Sequence, residues 1–448
     1  MKNIIYLIVL SFVFNINSQK INYELYTLDN DLDVILHQEN TAPVVTVAVM
    51  YHVGAKDEID GRTGFAHFFE HLLFNGTKNI GKGEWDNILE GVGARNNANT
   101  SHDRTYYYEV LPSNHLELAL WMESERMLHP VIDQLGVETQ NEVVKEEKRQ
   151  RIDNAAYGAL FYGTAVDPHL YKKHPYRRSV IGSMEDLDAA TLDEFKSFNK
   201  KWNNPNNATL VVAGDFRMEE TKKMIKDYFN EIPNYSEKIK RTKIEEPPIT
   251  NTIKLTEYDD KIQIPVKALI YRIPGFKDRD TYVLQYISRI LSSGKSSRLV
   301  KRMVDEEKLA LRVFAINQPQ EEYGKFSIAA FPIGDTNLAT LKNVMDEEID
   351  KLKTNLISER EYEKVKNQFE ISFIQSNNRI EGIASSLATY HTLYDNIELI
   401  NEEIKIYRSI TKEEIRDVAN KYLNDNQRIE MNYLPKNSDK KWKKLNYV

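Results

Sequence analysis

Two stretches of the chain decide its reading. The first, residues 63–76, runs Thr-Gly-Phe-Ala-His-Phe-Phe-Glu-His-Leu-Leu-Phe-Asn-Gly; the second, residues 281–294, runs Thr-Tyr-Val-Leu-Gln-Tyr-Ile-Ser-Arg-Ile-Leu-Ser-Ser-Gly. Both begin with Thr, carry an apolar helical pattern and stop at Gly. Each follows an apolar strand, Val44 to Val53 in one case and Pro265 to Ile273 in the other. At nearly the same offset, Asp193 to Val211 matches Glu413 to Met431: an amphipathic helix, an Asn-rich turn, then a strand. Matching order at both ends of a half marks two tandem copies of one fold.

Between the copies, Pro233 to Thr252 is charged and rich in breakers, including Pro247-Pro248, and reads as a linker. The expected division is a targeting segment at 1–18, a first domain at 19–235, a linker at 236–252 and a second domain at 253–448. In the first half, strands are expected near Tyr23–Tyr26, Val34–His37, Val44–Val53, Ala94–Thr100, Thr105–Leu111 and Ala208–Gly214. Helices are expected around His67, at Glu84–Leu89, at His115–Leu128 and at Val137–Asp153. Neighbouring strands with helices grouped between them predict an α+β fold with a largely antiparallel sheet in each half.

The helix at residues 63–76 carries chemistry. His67 and His71 are one turn apart and share a face, so both imidazoles can reach one metal ion. Glu70 lies close to that face and can reach a metal-bound water without being a ligand. His-x-x-Glu-His is the reverse of the commoner zinc peptidase order. Neutral imidazoles suit Zn²⁺, and three protein ligands leave a fourth position for water. The flanking Phe65, Phe68, Phe69, Leu72, Leu73 and Phe74 make the segment apolar nearly all round, where ionisable groups are costly without a purpose. The second copy places Gln285, Ser288 and Arg289 opposite His67, Glu70 and His71. The fold therefore does without the three ionisable groups. A third ligand is expected from the acidic helix at residues 140–149, where spacing leaves Glu142, Glu146 and Glu147 equivalent.

Bulk properties narrow the classes. The chain has 448 residues, 41% hydrophobic and 28% charged, enough for more than one core. A net charge of −7 offers no basic footprint for nucleic acid. With no cysteine, disulfides, thiolate ligands and a thiol nucleophile are all excluded, so any metal rests on His, Asp or Glu. At the N-terminus Lys2 precedes an apolar run from Ile4 to Phe14, with Ser18 as a small cleavage-site residue. That is the pattern of a secretory signal, shorter than the roughly 20 apolar residues of a membrane span. An exported protein, periplasmic or secreted, without a membrane span is expected.

The residues quoted above, with Leu73-Phe74-Asn75-Gly76-Thr77, Asn97-Ala98-Asn99-Thr100, Asp103-Arg104-Thr105, Val143-Val144-Lys145-Glu146-Glu147, Pro205, Val212-Ala213-Gly214-Asp215 and Gly294-Lys295-Ser296-Ser297-Arg298-Leu299, resemble the pitrilysin (insulinase) family of zinc peptidases. Within that family they are most similar to the zinc-bearing subunit of mitochondrial processing peptidase. The resemblance covers nearly all of the chain after the first residues. It implies the LuxS/MPP-like metallohydrolase fold, with a zinc-binding N-terminal peptidase domain and a non-catalytic C-terminal domain. It implies one Zn²⁺ per chain, with Glu147 as third ligand beside His67 and His71, and Glu70 as general base. It maps Asn97, Ala98, Asn99 and Thr100 to an edge strand that pairs with extended peptide or unfolded substrate. Where the family often has a supporting Glu, this chain has Gln140. Where family members carry a substrate-binding Arg and Tyr in the second domain, it has Val304 and Leu311, with Arg302 and Arg312 out of register. The implied partner is a second family subunit supplying that Arg and Tyr, or another copy in a homo-oligomer. The rival expectation is a peptide-binding or assembly subunit with a vestigial metal site.

Overall fold

A computed structural model describes residues 20–241 and 243–436; the targeting segment expected at 1–18 lies outside them. The first sheet holds β1 (Glu24–Thr27), β2 (Asp33–Gln38), β3 (Val44–Tyr51), β4 (Arg95–Thr100), β5 (Thr105–Pro112) and β6 (Ala208–Gly214), in the order β1-β2-β6-β3-β5-β4. The second holds β7 (Ile253–Asp259), β8 (Val266–Pro274), β9 (Ala310–Pro319), β10 (Tyr323–Pro332) and β11 (Arg428–Pro435), in the order β7-β11-β8-β10-β9. Removing β1 makes the two orders equivalent. Each sheet has one parallel pair, β2 with β6 and β7 with β11, and is otherwise antiparallel. The tandem α+β architecture read from the repeat is present.

Local signals recur between the copies as well. Thr191 with Glu194 and Thr411 with Glu414 form capping boxes at the starts of the Leu192–Trp202 and Lys412–Tyr422 helices. Each helix leads through a short turn into an inner strand of its sheet, β6 or β11. The expected helix at Val137–Asp153 starts earlier, at Gln134, because the Asp133 carboxylate caps Gly136 N–H at 2.7 Å. Its regular α portion stops at Lys148 and widens into a π turn over Arg149–Asp153.

The strands β3 and β6 are buried along nearly their whole length, as continuous apolar strands are when both sheet faces are covered. One face of the first sheet packs on its own helices, including Phe65–Leu72. The other face packs Ile35, Ala48, Met50 and Val211 against Ile383, Ala384, Leu387 and Ala388, from the second-half helix Ile380–Thr392. The second sheet is covered reciprocally: Val166, Leu170, Tyr171 and Tyr176 of the first half pack on Val266, Ala268, Ile270 and Met431. Each half thus covers an apolar face of the other.

Candidate metal centre

The helix Phe65–Leu72 is held at both ends. Its N-cap, Gly64, has φ +88°, a left-handed conformation, and a Cβ there would meet Ile181 O at 2.6 Å. Having no side chain, Gly64 cannot cap the helix. The buried Glu58 carboxylate does so, accepting from Gly64 N–H at 3.0 Å and Ala66 N–H at 2.9 Å. At the other end, Arg126 Nη1 donates to Leu73 O at 3.0 Å. Arg126 is fully buried beneath Trp85 and Phe74 and pairs with Glu123 at 3.0 Å and Glu109 at 3.5 Å. Burial, then the adjoining Glu123, pushes the Glu109 carboxyl well above the carboxylate range, so one of the two acids is held neutral.

This clamped helix brings three donor atoms together. His67 Nε2 and His71 Nε2 are 3.3 Å apart, and Glu147 Oε2 lies 3.4 Å from the first and 3.2 Å from the second. Ligand atoms about 2.0–2.1 Å from a tetrahedral zinc stand about 3.3 Å from one another, so these separations suit the edges of one tetrahedral face. Glu147 comes from the Gln134–Lys148 helix, which packs along the histidine helix. Its second oxygen is held by Arg151 Nη1 at 2.7 Å. Glu142 and Glu146, equivalent to it by spacing, instead face solvent and pair with Lys145 and Arg149.

The electrostatics favour metal-ready protonation states. Burial, reinforced by the neighbouring His71 and opposed by Glu147, lowers the His67 pKa to about 4, so its imidazole is neutral at neutral pH. Although burial opposes it, hydrogen bonding to His71, with the neighbouring His67 and Arg151, lowers the Glu147 pKa. Two lone pairs and one negative charge converging in a half-buried site fit a divalent cation. His67 Nδ1 is buried without a partner.

Glu70 points to the same region but stands apart from the three-atom cluster. Burial raises its pKa, while Thr100 Oγ1, donating to Oε2 at 2.5 Å, counters that. Thr100 therefore serves Glu70 through its side chain, a contact not expected of a strand residue mapped only to substrate. Gln140 does not touch the cluster; its Nε2 donates to Asn75 Oδ1 at 2.9 Å, tying its helix to the loop after the histidines. Asn97, Ala98, Asn99 and Thr100 lie on β4, which among the described residues is an edge strand paired with β5 alone. Ser101 N–H bonds Arg104 O at the hairpin turn. Alternation along an antiparallel ladder then turns the backbone groups of Asn99 and Asn97 toward β5 and those of Ala98 and Thr100 outward.

In the second half, the equivalents of the histidine-helix residues make structural contacts. Ser288 Oγ donates to Ala315 O at 2.8 Å, and Arg289 stacks on Phe369 at 4.0 Å. Val304 packs on the core and Leu311 is exposed on β9. Arg302 is engaged by Glu307, Glu347 and Glu348. Sequence reasoning missed Glu58, Arg126, Arg151 and Asn75. A buried Glu or Arg carries no local pattern that names its partner.

A paired α+β fold with a His-His-Glu cluster beside a sheet edge defines a class of metallopeptidases, and comparison with known proteins places the chain within it. Residues 33–182 match the family profile "Insulinase (Peptidase family M16)", and residues 189–369 match "Peptidase M16 inactive domain". The zinc protease PqqE of Helicobacter pylori is 30% identical over 407 residues, covering 90% of this chain and 91% of that protein. The crystal structure of a protease from Helicobacter pylori matches with a TM-score of 0.87 at 29% identity, over 93% of this chain and all of that one. A probable mitochondrial-processing peptidase subunit beta of Arabidopsis thaliana is 22% identical over 89% of this chain and 76% of that protein. The chain belongs to the pitrilysin (insulinase, M16) family of zinc peptidases.

Proposed function

We propose that the chain is a zinc-dependent endopeptidase acting on peptides and unfolded segments, with zinc held by His67, His71 and Glu147 and with Glu70 as general base. The observation that carries this reading is the convergence of His67 Nε2, His71 Nε2 and Glu147 Oε2 at 3.2–3.4 Å beside a buried Glu70 outside the cluster. When bound, zinc supplies Lewis-acid polarisation of a peptide carbonyl and lowers the pKa of water. The chain's own residues do the rest. Glu70 accepts a proton and returns it to the leaving amine, and Thr100 orients the Glu70 carboxylate. The outward backbone groups of Ala98 and Thr100 bind an extended peptide as an added strand, which selects unfolded segments.

Export through the segment at 1–18 and completion by a second subunit form part of the same reading. Val304 and Leu311 offer no charged or phenolic group, and Arg302 is committed to three carboxylates. A partner bearing the missing Arg and Tyr fits that gap, and the Arabidopsis relative is itself named as a subunit.

Metal analysis together with two variants tests the reading. Glu70→Gln keeps stoichiometric zinc and loses cleavage by a factor of about 10³ or more, the scale of a lost base and its charge. His71→Ala loses the metal. Zinc retained by His71→Ala would refute the ligand set, and full activity in Glu70→Gln would remove Glu70 from the chemistry. Peptide binding by a protein that takes up no zinc would favour the vestigial-site alternative.

A further inference from the structure

A strand added at β4 turns its side chains alternately to the two faces of the sheet. One face bears Ala98, Thr100 and Glu70, with Tyr107 of β5 beneath. The opposite face bears Asn97, Asn99, Tyr106 and Tyr108, with the two tyrosine rings stacked 5.5 Å apart. Arg104 reaches over this second face. Its Nη1 donates to Asn99 O at 2.8 Å and also to the Asn99 side chain, and its guanidinium lies 5.6 Å from the Tyr106 ring centre.

Arg104 is half-buried, yet no carboxylate among the described residues pairs with it. The acidic side chains whose fields reach it are Glu70 and Asp103. Both are taken: Glu70 by Thr100 at 2.5 Å, Asp103 by Tyr176 at 2.5 Å and Lys56 at 3.2 Å. A partly desolvated cation without a counter-charge is costly, and a guanidinium fork matches a carboxylate in shape. Its place is over the β4–β5 hairpin, on the sheet face that alternate side chains of an added strand would share.

We infer that Arg104 is a specificity residue, forming a subsite for a carboxylate of the substrate on the face turned away from the histidine helix. This rests on the peptidase reading above. The carboxylate comes either from an Asp or Glu side chain or from the substrate's C-terminus.

The test uses the full-length zinc-loaded protein, with any partner subunit it requires, and matched short peptides. One set carries Glu or Gln at each position around the cleaved bond; the other has a free or an amidated C-terminus. Both kcat/KM and binding to the Glu70→Gln protein are measured. The expected result is a roughly 10- to 100-fold preference for the carboxylate at one place, the range of a charge-assisted hydrogen bond. In Arg104→Gln the ratio collapses toward one, and in Arg104→Glu it turns in favour of Lys, with circular dichroism verifying the fold of each. Preference in the first set assigns the side chain, and preference in the second assigns the C-terminus. Equal rates and affinities for wild type, or a ratio that survives in folded Arg104→Gln, overturn the inference. Selective binding without cleavage keeps the subsite and sinks the peptidase reading. Binding of no peptide overturns both.

Discussion

The bond from Thr100 Oγ1 to Glu70 Oε2, at 2.5 Å, is where the candidate base meets the candidate substrate strand. A hydroxyl donating to a carboxylate stabilises the charged form and limits its rotation. Thr100→Val keeps the shape and removes the donor. It should retain zinc, lower kcat about tenfold, and move the acidic limb of the pH–rate profile to higher pH. The sign follows from the chemistry: the base acts when ionised, and loss of a bond that lowers its pKa shifts ionisation upward. An unmoved acidic limb would separate Thr100 from Glu70. At this scale the sequence was informative where residues are close along the chain, as His67, Glu70 and His71 are. Spacing alone was silent where they are far apart. The choice of Glu147 over Glu142 and Glu146 follows from which side of its helix faces the histidines, and the Glu58 cap follows from a loop that folds back.

Strand β4 and the Phe65–Leu72 helix form the site as elements. The ladder argument separates two neighbouring positions on β4. Pro at 98 removes an N–H that points outward and bonds only the adjacent Asn97 side chain, at 2.9 Å. Pro at 97 removes an N–H of the β4–β5 ladder. Ala98→Pro should therefore lower kcat/KM roughly tenfold with a small loss of stability, while Asn97→Pro should cost about 1–3 kcal/mol in denaturant unfolding. The opposite pattern would mean that substrate does not join this edge. Most first-half strands and helices were legible within a few residues, since apolar alternation and period are local properties. The stretch between Asp153 and Thr191 was not. It forms short helices at Gly158–Phe161, Asp167–Leu170 and Met184–Asp188, each too brief to show a period, and its apolar residues from Tyr157 to Tyr176 serve the other half's sheet.

At the scale of the molecule, the turn between β9 and β10 docks into the first domain. Glu321 bonds His52 Nε2 at 3.0 Å and also pairs with Lys56, and its own N–H donates to Asp103 Oδ2 at 3.1 Å. Next to it, Glu322 meets His174 Nε2 at 3.0 Å. Burial raises the Glu321 pKa, but His52 and then Lys56 outweigh it and hold the group at about 2. Relative to an ordinary Glu near 4.5, that is worth about 3 kcal/mol of stability. Because the folded value is depressed, the contribution is present above about pH 4.5 and is lost as pH falls toward 2. Glu321→Gln should lower the melting temperature at neutral pH, and its curve should converge on that of wild type as pH falls to about 2. A constant difference across that range would show that the ion pairs do not lock the halves. On this reading the halves behave as one body.

The sequence by itself determined the tandem α+β plan, the three ionisable residues of the histidine helix and the absence of cysteine chemistry. Those depend on local period, on repetition and on composition, all carried by residues near one another or by simple counts. Spacing left the acidic member of the donor cluster open, the family resemblance pointed to Glu147, and the fold brings that carboxylate to the histidines; only the tertiary structure decided which backbone groups of β4 face outward and that Glu58 and Arg126 brace the histidine helix. It alone showed that each half covers an apolar face of the other and that Arg104 has no counter-charge among the described residues. These are relations between residues distant in the chain. Burial and exclusion of water give them their energy, and neither is defined until the chain has folded.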